Sequence, residues 1–233
     1  MTITMGTLVF SRYDSTRLPG KALLPIGGMP LLQRVIRRAQ LLPWPVYLAT
    51  TDKPSDDALC DLAEHLGVPV FRGPEDRVLQ RAVQAADAFG LETFARLCGD
   101  PPLFPIVSLR QAAAIMNTVE LSATAMPDLV SDYVPGGTVR GLTTEVVRSS
   151  TLRRINDRGV TADQQEHLTK FFYDNPGEFH IVRLQPKEAV YACPGFAVDT
   201  ESDLRALDRI FAGDQSIAMS VAEADNRYRQ STI

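Results

Sequence analysis

The eleven-residue stretch Ser11–Lys21 reads SRYDSTRLPGK and sets Arg12, Arg17 and Lys21 against a single acid, Asp14. Cationic side chains beside glycine-exposed backbone N–H donors, here at Gly20, form a cradle for phosphate oxygens. A solvated basic loop has the same composition, so the run leaves both readings open. Two carboxylates add a second kind of chemistry. Asp100 stands in Cys98-Gly99-Asp100-Pro101-Pro102, and Asp199 in Val198-Asp199-Thr200. Paired carboxylates completed by phosphate oxygens suit magnesium, a hard cation. Singly, Asp100 also fits a turn before proline and Asp199 the start of a helix. Two other phosphate grips are missing: there is no GxxxxGK[ST], and no GxGxxG follows the first apolar run. P-loop kinases and dinucleotide dehydrogenases are thereby disfavoured.

The surrounding elements would place these groups together. Thr2–Phe10 reads as a first strand, so the basic loop leaves its carboxyl end, where open parallel sheets bind ligands. Further strands are expected at Val46–Thr50, Val68–Phe71, Thr93–Leu97, Leu121–Ala125, Phe179–Leu184 (near a sheet edge) and Gly195–Asp199. Helices are expected after Pro30, with Arg34, Arg37 and Arg38 between the apolar positions, and over Asp52–Gly67 with Ser55 as N-cap. Others are expected over Asp76–Phe89, Ile106–Met116, Thr144–Arg153, Ala162–Phe172 and Glu201–Phe211, with Asp128–Gly141 as loop. The alternation implies an α/β fold with a largely parallel sheet and right-handed crossovers. On one helix, Asp163, Glu166, His167 and Lys170 would share a face.

The 233 residues fit one large domain, residues 1–212, followed by a polar tail or helix over 213–233. A net charge of −4 argues against nucleic-acid binding through a bulk field. Cys60, Cys98 and Cys193 form no CxxC pair, so reduced thiols and a cytoplasmic location are expected. Neither a secretory leader nor a membrane span is visible.

Several segments, taken in order, resemble the cytidylyltransferases of the spore coat polysaccharide type and their relatives that activate 3-deoxy-manno-octulosonate and acylneuraminates. They are Ser11–Leu24 with Ile26–Leu32, Ala49-Thr50-Thr51-Asp52, Phe71-Arg72-Gly73, Val78-Leu79-Gln80-Arg81, Gly99–Leu103, Glu166-His167-Leu168-Thr169 and Val198-Asp199-Thr200. The resemblance implies a Rossmann-like, glycosyltransferase-A-like three-layer fold with a mostly parallel mixed sheet. It implies transfer of CMP from CTP to a small acceptor, a sugar acid of a surface polysaccharide pathway, with Mg2+ held by Asp100 and Asp199. Arg12, Lys21 and Asp100 would be catalytic, with Arg17 supporting the triphosphate loop. Ala49, Thr50, Asp52, Arg72, Gly73 and Leu79 would surround the nucleoside. Tyr133, Glu145, Glu166 and His167 would line the acceptor side. Thr143 departs from the commoner Gly-Leu-Asp-x-Glu stretch, which leaves the acceptor open, as well as the alternatives of UTP, GTP or a silent binding subunit. Oligomeric state is not read from the chain, and a homodimer is left open.

Overall fold

The computed structural model describes residues 4–118, 126–185 and 191–231. Seven strands form one mixed sheet: β1 Met5–Phe10, β4 Val46–Thr51, β5 Val70–Gly73, β6 Thr93–Cys98, β7 Leu129–Ser131, β8 Glu145–Arg148 and β9 Ile181–Arg183. Their order is β5-β4-β1-β6-β8-β7-β9. The β5-β4-β1-β6 half is parallel throughout, β8 runs antiparallel to β6 and β7, and β9 returns parallel to β7. A hairpin of β2 Pro25–Ile26 and β3 Met29–Pro30 turns at Gly27 and Gly28 with φ of 56° and 76°, the left-handed pair that a tight two-residue turn needs.

Alternation along the strands sends side chains into two cores. Val9, Leu48, Ala95, Leu97, Val130 and Val146 face α1 Leu31–Ala39, α2 Asp57–His65, α4 Ile106–Thr118, α8 Glu201–Ile210 and α9 Val221–Ser231. Leu8, Phe10, Ala49, Phe94, Leu129 and Val147 face α3 Val78–Ala88, α5 Ser149–Asp157 and α7 Lys170–Asp174. The result is three layers, and the expected edge strand near residue 180 is β9.

The structure corrects several local expectations. Glu145–Arg148 is a strand, and the helix begins only at Ser149; its four buried or half-buried residues continue the sheet beside β6. Leu129–Ser131, expected as loop, is the buried strand β7. The single helix over 162–172 is two short ones, α6 Ala162–Glu166 and α7, broken at His167 with ψ of 86°. Residues 195–199 form no strand, so Asp199 lies in an irregular approach to α8 and not at a strand end. Ser55 caps nothing: a 3-10 turn, Pro54–Asp56, precedes α2, and the Ser55 hydroxyl turns to Asp14. The strand expected at Leu121–Ala125 lies outside the described residues.

Arg34 and Arg38 are buried in the core-facing side of α1, against the reading that they merely space its apolar positions. Arg34 donates to the Ile26 and Ser216 carbonyls and lies 4.0 Å over the Phe211 ring. Arg38 donates to the carbonyls of Phe104, Ile217 and Met219. Burial lowers the Arg38 guanidinium to about 10, which still leaves it charged at neutral pH. These bonds fasten the segment before α9, and Met219 and Ala224 complete the same core.

Candidate active site

The carboxyl ends of β1 and β6 sit side by side, with Phe10 opposite Cys98. The Gly99 N–H donates to the Phe10 carbonyl at 2.8 Å, and a side chain at Gly99 would strike Ser11 at 2.7 Å. Glycine therefore permits the two chains to leave the sheet in contact. A further main-chain bond, from Val198 N–H to the Asp100 carbonyl at 3.1 Å, draws the approach to α8 alongside. Three distant segments thus meet at one point.

Lys21 stands at that point. Its ammonium donates to Asp100 Oδ2 at 2.7 Å, to the Val198 carbonyl at 2.6 Å and to Asp199 Oδ1 at 3.3 Å. Arg17 reaches the same Asp199 oxygen at 2.7 Å, and Arg140 reaches the other at 2.8 Å. Burial pushes the Asp199 carboxyl up, but Arg140, Lys21 and Arg17 together hold it below the usual carboxylate range. Asp203, gripped by Arg140 and by the Thr200 capping box, is held well below that range, and Arg140 is raised in return. The loop's own N–H donors are less free than its composition implies. Gly20, with φ of 71°, gives its N–H to the Tyr13 carbonyl, and Lys21 gives its own to Leu18. The cradle is made chiefly by side-chain cations.

The β1–β4 side is organised by Asp56, which no motif flagged. It is 1% exposed and accepts from the hydroxyls of Thr50 and Thr51 and from the N–H groups of Thr51 and Tyr13. Burial pushes its carboxyl up, and these four bonds bring it below the ordinary range. One carboxylate so fixes the basic loop against the end of β4. Arg72 is spent on the Thr51 and Lys53 carbonyls and on Asp57, so it shapes the loop after β4. Asp52 pairs its N–H with the Gly73 carbonyl, while Ala49 and Leu79 are wholly buried. Arg12 faces Glu75 at 3.8 Å and Glu166 at 4.0 Å. Lys53 joins Glu75 from the other side.

Across β6, β8 and β7 a polar row replaces the apolar face. Arg96, Glu145 and Ser131 lie on the side that carries Phe94 and Leu129 further back. Tyr173 from α7 donates to Glu145 Oε1 at 2.7 Å and bonds the Ser131 hydroxyl at 2.9 Å. Burial, then the Glu145 charge, raises the Tyr173 phenol far above its usual value, so it stays a donor. Tyr133 packs its ring 4.7 Å from that of Tyr173. Burial likewise raises the Cys98 thiol, which stays neutral. Glu166 and His167 are more than half exposed at the rim, with His167 3.6 Å from Asp163.

The expected residues therefore fall into three neighbourhoods. Lys21, Arg17, Asp100 and Asp199 converge. Thr50, Arg72 and Gly73 border the Asp56 network, and Tyr133 and Glu145 belong to the polar row. Arg140, Arg96 and Tyr173 escaped the sequence reading because their partners lie dozens of residues away, and Asp56 because its tie to the basic loop, through Tyr13, spans 43 residues. Among the described residues no group of three or more His, Cys, Asp or Glu side chains converges. The two carboxylates that do meet offer hard oxygen donors and leave positions for phosphate, a set that fits magnesium bound with a nucleotide.

A cytidylyltransferase family model matches residues 7–204, a span that holds all three neighbourhoods. The chain belongs to the cytidylyltransferase family. The spore coat polysaccharide biosynthesis protein SpsF of Bacillus subtilis is 29% identical over 214 residues, covering 88% of this chain and 85% of that protein. A 3-deoxy-manno-octulosonate cytidylyltransferase of Aeromonas salmonicida is 36% identical over 109 residues, 44% of this chain and 42% of that enzyme. Among solved structures, a cytidylyltransferase of Leptospira borgpetersenii superposes with a TM-score of 0.87 at 24% identity, covering 99% of this chain and 95% of that one. The fold of this cytidylyltransferase is accordingly the Rossmann-like nucleotidyltransferase fold. No described helix is long and apolar enough to cross a membrane.

Proposed function

We propose that this cytidylyltransferase transfers CMP from CTP to a small sugar acid of a surface polysaccharide pathway and releases pyrophosphate, working in the cytoplasm without nucleic acid or membrane. The observation that carries the reading is the Lys21 ammonium held between Asp100 and Asp199 at the carboxyl edge of the sheet. A solved CMP:2-keto-3-deoxy-manno-octonic acid synthetase that shares the fold, with a TM-score of 0.59 at 18% identity, is complexed with CTP. A Mycobacterium tuberculosis relative of the fold, Rv0371C, is complexed with manganese.

In this reading the acceptor oxygen attacks the α-phosphorus as its bond to the bridging oxygen of pyrophosphate breaks. Lys21 and Arg12 bind the triphosphate and offset charge that develops on it. Arg17 and Arg140 orient Asp199. Ala49, Thr50, Asp52, Arg72, Gly73 and Leu79 form the nucleoside end, and Tyr133, Glu145, Glu166 and His167 the acceptor end. Asp100 and Asp199 would hold Mg2+, which supplies charge neutralisation at the phosphates. Pyrophosphate release from CTP, magnesium and a sugar-acid panel tests the reading, alongside thermal shifts with CTP, UTP and GTP. Stabilisation by UTP or GTP but not CTP would overturn the nucleotide assignment.

A further inference from the structure

Arg96 is a poorly satisfied cation near the site, with part of its guanidinium buried. A guanidinium carries five donors, yet among the described residues Arg96 makes one polar side-chain contact, Nη1 to Glu145 Oε2 at a long 3.4 Å. Its Nε is buried without a partner. Arg34 and Arg81 also leave Nε unpaired, but they spend other donors on main-chain carbonyls. Glu145 cannot close on Arg96 fully, because its other oxygen is taken by Tyr173 at 2.7 Å. The arginine nevertheless faces an accessible space, with a quarter of its side chain exposed against 4% for Glu145. It stands on β6 on the same strand face as Cys98, two residues on, and four residues before Asp100 in the turn that follows the strand.

We propose that Arg96 receives the carboxylate of the acceptor through its unused donors. The assignment rests on the transferase reading above and names the residue that selects an acid acceptor. A planar guanidinium fork matches a carboxylate in two parallel hydrogen bonds. Charge narrows the class further. Arg96 and Glu145 together are neutral, so a monoanion completes the arginine, whereas a dianionic phosphate would meet the Glu145 charge at short range. The Tyr133 and Tyr173 rings, 4.7 Å apart and tilted at 44° to each other, pack beside Glu145 and offer aromatic surface to the sugar body.

The test uses the full chain saturated with a non-hydrolysable CTP analogue. Calorimetry would measure binding of a panel of 2-oxo sugar acids, hexose- to nonose-derived, each with its methyl ester, and of hexose 1-phosphates. At least one acid should bind wild type about 100-fold more tightly than its ester, the scale expected when a site built for hydrogen bonds loses its partner. R96Q should remove that preference, leaving the ester's affinity and that of the CTP analogue unchanged, and R96K should restore part of it. The R96Q/E145Q pair, which removes both charges, serves if R96Q alone does not fold. An unchanged acid-to-ester ratio in R96Q, tighter binding of a hexose 1-phosphate, or no binding by any acid would overturn the assignment. Failure of wild type to bind the CTP analogue would instead sink the transferase reading, and the assignment with it.

Discussion

The two ends of the proposed site, for phosphate and for acceptor, handle charge in opposite ways. At the phosphate end, Asp199 touches Lys21, Arg17 and Arg140, and Asp100 touches Lys21. At the acceptor end, Arg96 has one long contact and a buried, idle Nε. In the first arrangement each carboxylate already has a cationic partner, so the protein itself holds the two acids in place. The second is finished by something the protein does not contain. Preorganised charge suits chemistry shared by every substrate, and an unfinished cluster suits discrimination among acceptors.

The largest blow to this contrast should come from Lys21→Met. It removes the cation between the two carboxylates, and pyrophosphate release should fall about 100- to 1,000-fold, the scale for deleting one charge-stabilising donor. A mutant that kept wild-type turnover would show that the completed cluster is only structural. Asp56→Ala should come next. Four donors lose their acceptor, and urea unfolding should report about 3 kcal/mol of lost stability, with weakened CTP binding because the basic loop is released.

Acid should erode the Asp199–Asp203 cluster. Asp199 and Asp203 have folded values below the unfolded one, so their contribution is whole above about pH 4 and lost as pH falls through the lowered values. Arg140→Met should cost about 1 kcal/mol at neutral pH, discounted for the solvent around the guanidinium. The gap from wild type in thermal melts should narrow steadily as pH falls below about 4. A gap independent of pH would mean that Arg140 acts by packing alone. An effect of similar size, confined to the acceptor side, should come from Tyr173→Phe. Losing its bond to Glu145 should cost about 1 kcal/mol and should change acceptor KM while CTP binding stays put. A change in CTP binding instead would break the division between the two ends.

The sequence was informative where chemistry is local and silent where it is assembled. The β1 loop, the Gly99-Asp100 turn and the alternation of strands and helices through residue 116 are encoded by near neighbours, and the sheet follows them. The second half misled because β7 and β8 are three and four residues long, too short for a period of two to stand out, and β8 runs directly into a helix. Residues 195–199 show the converse: an apolar, strand-like run that finds no sheet partner and is held instead by single bonds to Arg140 and Asp100. Asp56 and Arg140 were invisible for a related reason. Nothing beside them in the chain tells that their partners include Tyr13 and Asp203.

The two buried arginines of α1 bear on how the chain must be made. Arg34 and Arg38 emerge early in synthesis, yet their carbonyl partners Ser216, Ile217 and Met219 follow 179 to 182 residues later. Arg34 can meet the Ile26 carbonyl and Arg38 the Phe104 carbonyl before then, but their remaining donors favour water until the later carbonyls arrive, because burying an unpaired donor is costly. The helix side of the β1–β4 half is therefore finished by contacts of very long sequence separation. A variant lacking residues 216–231 should leave the core side of α1 open, which amide exchange over residues 31–39 would report.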